Sequence, residues 1–479
     1  MKSDLARKLT LYNYRYWIGY GTFFLILLIL TCFAISSLPN GLSSSELGSA
    51  TTSGQLNLRH LAPSDVVNLP YHVLQSFSIR LFGLTDFAIR LPSVILAFLS
   101  GGVMVLMLRR WSRDNIAIVA GLMSISSVLF LTIARSGSPM IMSIFLTLVA
   151  LLAAAEIARG ARRTLPWKIV AGIAVALLLY TPFGIYPVAA FAIAGVLHPK
   201  IRLVFLRRKP WRWLIGAAGG LLTMIPLGWA IWRQPEILTQ LLGWGRTWQP
   251  GESFLGLGNA LFGTHEKAFY GFLTPAISMV SMLIIITGLL KIGREWHSAR
   301  SFLILPWLLI ILPMVIYNPN ALYMLFVPFA LLTAVGTETI VREWYKLFPK
   351  NPYARATALV PLAVLIGGLV YATINRYYMS NTYFSAIVSE FSQEPTAVRR
   401  AVNDRSAQKI NLVVTKDQLD FYRLLEREYP NLTVTTEPAG KPDSLIVAGT
   451  SSGISKQAPY RLVTSSRATD SLLLKIYEK

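Results

Sequence analysis

Long apolar runs alternate with short polar segments over most of the chain. Eleven runs approach bilayer length, at about 18–38, 91–108, 116–134, 140–157, 169–180, 183–197, 213–232, 269–290, 302–317, 322–341 and 356–374. A membrane-crossing helix needs about 20 predominantly apolar residues. The pattern therefore predicts a polytopic α-helical membrane protein with about 11 transmembrane helices. The fifth and sixth runs are short and separated only by Thr181-Pro182. They read either as two short helices or as one broken hairpin. Beyond about residue 376 the period changes. Residues 409–415 read as a buried strand and 416–429 as an amphipathic helix. Residues 432–437, 444–449, 460–464 and 472–477 read as further strands. The expected organisation is a transmembrane domain, 1–375, followed by a small α/β domain, 376–479.

Composition sharpens this reading. Hydrophobic residues make up 54% of the 479 and charged residues 14%, against about 25% charged in soluble domains. Such a chain cannot cover a water-facing surface of its size. The net charge of +22 raises nucleic acid as a partner, but the position of the basic residues argues against it. One set of alternating segments carries 24 Lys and Arg and the opposite set seven. That asymmetry is the positive-inside pattern and places the N-terminus in the cytoplasm. An odd number of spans then puts the tail outside. The basic N-terminus precedes a long apolar run without a small-residue cleavage site, which reads as a retained first helix. The lone Cys32 allows no intrachain disulfide.

Three large segments fall outside: loop 39–90, loop 233–268 and the tail. Chemistry is therefore expected on the outer face, on a lipid-linked substrate. Glu46 is the foremost carboxylate, a few residues past the first span, where it could accept a proton from an attacking hydroxyl or amine. Ser43-Ser44-Ser45-Glu46 equally fits a capping box, with Glu46 reaching back to the helix start; both readings stand. Arg135, in the turn Ala134-Arg135-Ser136-Gly137-Ser138-Pro139, has the fork that suits a phosphate, and also the position of a snorkelling helix-end cation. Arg59, His72, Arg246, His265 and Lys267 are further candidates for substrate contact, with Asp65 among the few outer acids. Val66, Val67, Leu69, Val73, Leu74, Phe77 and Leu81 give the first loop an apolar face suited to the headgroup layer. Ionisable residues are nearly absent from mid-span, which counts against an ion-coupled transporter. No ligand cluster calls for a metal.

The first loop and second span carry a recurrent order of residues: an acid soon after span one, then Asn68-Leu69-Pro70-Tyr71-His72, then Leu81-Phe82-Gly83 and Arg90-Leu91-Pro92-Ser93. This resembles the GT-C glycosyltransferases of the protein mannosyltransferase and aminoarabinose transferase type, most clearly over residues 40–110. The resemblance implies transfer of a sugar from a polyprenyl-phosphate carrier to a lipid, glycan or protein acceptor on the outer side, by an inverting displacement. It adds Tyr71 to the substrate contacts. The family's first-loop pair is usually Asp-Glu, with the Asp regarded as catalytic; here the pair reads Ser45-Glu46, which passes the base role to Glu46. The family's paired prolines are reduced to Pro70. A catalytically degenerate relative that binds a lipid carrier, or transports it, is the other reading.

Overall fold

Each of the eleven apolar runs carries a helix in the computed structural model, which describes residues 11–160, 164–206, 210–245, 250–263, 267–269, 272–347, 352–406, 408–437, 444–448, 461–468 and 471–478. After α1 (Leu11–Cys32), the first loop holds β1 (Leu42–Ser43), α2 (Ser44–Gln55) and α3 (Leu69–Phe82). Then come α4 (Asp86–Trp111), α5 (Asp114–Ile125), α6 (Val128–Arg135), α7 (Met140–Arg159), α8 (Thr164–Leu178) and α9 (Ile185–Leu197). The middle of the chain forms α10 (Pro199–Leu206), α11 (Pro210–Arg233), α12 (Glu236–Leu242) and α13 (Pro250–Phe262). Two strands, β2 (Lys267–Phe269) and β3 (Phe272–Thr274), precede α14 (Met279–Arg294), α15 (Ala299–Tyr317), α16 (Phe326–Leu347) and α17 (Pro352–Tyr383).

Among the described residues, five helical segments are long and apolar enough to cross a membrane singly, and α5 with α6 makes a sixth if that bent pair is one span. The bend is 65°. It falls at Ser126-Ser127, where the Ser127 hydroxyl accepts from the Phe130 amide and starts α6 as a new helix. The eighth run differs from expectation. It begins as the paired strands β2 and β3, and its helix starts only at Met279, capped by Ser278. Pro275, without an N–H to donate, stands between the two.

Small residues bring the spans together, as lipid supplies no hydrophobic drive between helices. A Cβ on Gly336 of α16 would collide with the Ile284 carbonyl of α14. The main core joins Phe23 and Leu27 of α1 to Met104, Phe130, Trp307 and Phe326.

The tail contains α18 (Ser385–Val388), β4 (Phe391–Ser392), α19 (Glu394–Asp404), β5 (Ile410–Val413), α20 (Leu419–Glu426), β6 (Leu432–Thr435), β7 (Ser444–Ala448), β8 (Arg461–Ala468) and β9 (Ser471–Glu478). Its sheet runs β6-β5-β7-β9-β8. β5 pairs in parallel with β6 and β7, and β9 is antiparallel to β7 and β8. α20 shows the reason for docking. Its apolar face, Phe421, Leu424 and Leu425, shares one core with Leu42, Ala50, Ile79, Leu84 and Ile89 of the first loop and α4. The tail thus closes over the first loop, and β1 pairs with β4, Ser43 opposite Phe391.

Candidate active site

The first loop is built around a buried ion pair. Gly41, at φ 98°, passes so close to β4 that an added Cβ would lie 2.5 Å from the Ser392 carbonyl oxygen. The chain then enters α2 through a capping box. The Ser43 hydroxyl accepts from the Glu46 amide, and the Ser43 amide donates to Glu46 Oε2 at 2.8 Å. Glu46 is fully buried. Arg90 Nε donates to its Oε1 at 2.8 Å, as does the Gly137 amide, also at 2.8 Å. Burial alone would raise the Glu46 carboxyl; the Arg90 charge and the Gly137 and Ser43 amides outweigh it and hold the group below the usual carboxylate range. Arg90 also donates to the Pro39 and Gly41 carbonyls. The pair therefore fastens the end of span one, the start of α2 and the turn before α7 to α4.

Arg135 reaches its position through the α5–α6 bend. It is fully buried. Its Nη1 donates to Leu30 O and to the Tyr378 hydroxyl, and its Nη2 to Ala34 O and Leu38 O. The rings of Tyr377 and Tyr378 lie 5.9 and 5.5 Å from the guanidinium carbon. Nε has no partner, and no carboxylate among the described residues pairs with this charge.

Arg135 lines a cavity of about 790 Å³, within the range of small-molecule sites. Pro39 and Ser43, Ser44 and Ser45 form one side; Ser136, Pro139 and Met140 continue from Arg135. The break between α8 and α9 contributes Pro182 and Phe183, loop 233–268 contributes Gln240 and Trp244, and Asn318, Asn320 and Tyr323 also line it. Tyr377, Asn381, Glu390 and Phe391 complete it from α17 and the tail. Two lining residues, Asn68 (φ 58°) and Phe183 (φ 61°), are in the left-handed region. A third such residue, Ala34 (φ 51°), offers its carbonyl to Arg135. Backbone strain of this kind concentrates at functional sites.

The residues expected at the site separate into two groups. Arg135 lines the cavity. Glu46, expected as the base, is not among the lining residues: its Oε1 accepts from Arg90 and the Gly137 amide and its Oε2 from the Ser43 amide, so in this structure it caps α2 and pairs with Arg90. Tyr71 is buried, its hydroxyl 2.7 Å from Ser93 Oγ. His72 is buried against Ser53 at 2.8 Å, and burial pushes its imidazole down to about 4. Both hold α3 in place, away from the cavity wall. Asp65 accepts from the Ala62 amide in a short helical turn, and Arg59 is exposed on the loop. Arg246 and His265 lie outside the described residues, and of Lys267 only the backbone, in β2, is described. Sequence reasoning placed Arg90 in a motif but missed its partner, 44 positions away, and missed Glu390, which lines the cavity next to the β1–β4 pair.

Residues 70–232 match the family described as dolichyl-phosphate-mannose-protein mannosyltransferase. No curated protein sequence matches the chain. Among solved structures, ArnT from Cupriavidus metallidurans in the apo state is similar with a TM-score of 0.56 at 14% identity, over 96% of this chain and 98% of that one. The same protein bound to undecaprenyl phosphate gives a TM-score of 0.56 at 15% identity, with the same coverage of 96% and 98%. The Archaeoglobus fulgidus oligosaccharyltransferase tethered with an acceptor peptide is similar with a TM-score of 0.51 at 12% identity, over 88% of this chain and 64% of that one. Residues 70–232 thus carry a domain similar to the dolichyl-phosphate-mannose-protein mannosyltransferases, and nearly the whole chain shares the fold of ArnT.

Proposed function

We propose that this integral-membrane protein transfers a sugar from a polyprenyl-phosphate carrier to an acceptor within the cavity lined by Arg135. One observation carries the reading: Arg135, fully buried and without a carboxylate partner among the described residues, is among the residues lining a large cavity. A buried charge without a counter-ion is costly, and an anionic ligand removes that cost. The first turns of two helices, α2 through Ser44 and Ser45 and α7 through Met140, line the same space. The positive dipole ends of these helices favour an anion too. The ArnT structure that contains undecaprenyl phosphate names a ligand of the required chemistry.

The mechanism follows from these groups. The donor is a phosphodiester, and displacement at the anomeric carbon by the acceptor oxygen inverts that centre and releases polyprenyl phosphate. Charge builds on the leaving phosphate, where Arg135 and the helix ends stabilise it most. Glu46 and Arg90 hold the wall that carries Ser43–Ser45 and Gly137. The isoprenoid lies along the apolar spans. In this reading the cavity faces the outer side, as the basic residues of the opposite loops support.

Photo-crosslinking tests this reading. Full-length protein in lipid vesicles, exposed to a photoreactive undecaprenyl phosphate analogue, is expected to give adducts on cavity residues that unlabelled undecaprenyl phosphate abolishes. Adducts confined to the outer faces of the helices, or indifferent to competitor, would contradict it.

A further inference from the structure

Glycosyl transfer to a hydroxyl needs a group to take the hydroxyl proton, and Glu46, buried and paired with Arg90, is not on the cavity lining. Among the described residues that line the cavity, one carboxylate remains: Glu390. It is exposed, and it makes no ion pair among the described residues. Its place is set by strand pairing. β1 and β4 run antiparallel with Leu42 opposite Ser392 and Ser43 opposite Phe391. Ser44 follows β1 and Glu390 precedes β4, at the same end of this pair, and Ser44, Ser45 and Glu390 all line the cavity. Two features keep the register. Gly41 allows β4 to approach closely, and the tail core anchors β4 through Val398 and Val402 of α19, packed with Leu42.

Resting on the transfer reading above, we propose that Glu390 is the catalytic base, supplied to the first-loop wall by the tail. The acceptor hydroxyl gives its proton to the Glu390 carboxylate as its oxygen bonds to the anomeric carbon. The bond from that carbon to the phosphate oxygen breaks, and the phosphate keeps the electron pair. Glu390 then returns the proton to water or to the departing phosphate, so charge and protons balance. The polar amides of Asn68, Gln240 and Asn320 stand on the same lining and can orient the acceptor, but none can take a proton.

The test uses full-length wild type, Glu390→Gln and Glu390→Asp in vesicles that also contain native membrane extract as acceptor. Undecaprenyl phosphate carrying mannose, glucose, galactose or aminoarabinose serves as donor, and release of undecaprenyl phosphate is read. Affinity for undecaprenyl phosphate is measured in parallel. A lost general base predicts turnover down by roughly 10²- to 10⁴-fold in Glu390→Gln, with carrier affinity within about twofold of wild type and partial recovery in Glu390→Asp. Turnover by Glu390→Gln equal to wild type, with carrier binding intact, would overturn the base assignment and leave the transfer reading standing. A wild type that binds carrier but discharges no donor overturns both. A Glu390→Gln variant that loses carrier affinity in proportion to turnover makes the residue a binding group and overturns the proposal.

Discussion

Glu46 and Arg90 show how a residue placed by a short local motif gains its main partner only in the fold. The spacing from Ser43 to Glu46 made the capping box legible in the sequence, because a side chain three residues into a helix must reach back to its start. The ion pair was not legible, since Arg90 meets Glu46 only after α2 and α4 have packed. Removing one partner of a buried pair leaves the other charge uncompensated, so Glu46→Gln is expected to lower stability by about 3–5 kcal/mol, read as a drop in the thermal unfolding midpoint of the detergent-solubilised protein. A change within error would show that the pair contributes nothing. His72 gives a pH dependence of definite sign. Its folded value of about 4 lies below the ordinary value of 6.5, so between those values the unfolded chain binds the extra proton. Stability from this residue is present above pH 6.5 and lost as pH falls towards 4, by about 3 kcal/mol from a shift of that size. The variant His72→Gln should remove that limb of the stability profile; an unaltered limb would place its origin elsewhere.

At the scale of elements, the cavity depends on interruptions in otherwise regular structure. The Thr181-Pro182 break was visible in the sequence as a gap between two short apolar runs, and it supplies Pro182 and Phe183 to the lining. The Ser126-Ser127 bend was hidden, because both halves of that run are apolar and nothing in hydropathy records direction. The late start of α14 was hidden for the same reason: Phe269, Phe272 and Leu273 are as apolar in strands as in a span. The β1–β4 pair joins segments some 350 positions apart, beyond the reach of any local period. Its dependence on Gly41 is testable. A valine there meets both a left-handed backbone and the Ser392 carbonyl, and non-glycine strain of this kind costs about 1–3 kcal/mol. Gly41→Val should therefore make the tail more sensitive to limited proteolysis and lower transfer, with α-helical content by circular dichroism retained. Proteolysis identical to wild type would mean that the pair does not hold the tail.

For the whole molecule, hydropathy and charge sufficed for the class: an integral membrane protein of many helices with a small α/β tail, whose strands fall within a few residues of expectation. The relation between the parts was not readable, because the core that unites the tail with the first loop draws Leu42 and Ala50 from one end of the chain and Leu424 and Ile446 from the other. The cavity is the product of that assembly, with walls from the first loop, α6, α7, the α8–α9 break, loop 233–268, α17 and the tail. On the reading proposed above, its affinity for an anionic carrier rests on Arg135. The most direct measurement is the affinity of undecaprenyl phosphate for the full-length protein, wild type against Arg135→Gln, with folding of the variant verified by its unfolding transition. A lost charge-assisted hydrogen bond of about 1.5–3 kcal/mol predicts binding at least about tenfold weaker in the variant; equal affinity in a folded Arg135→Gln protein would contradict the account.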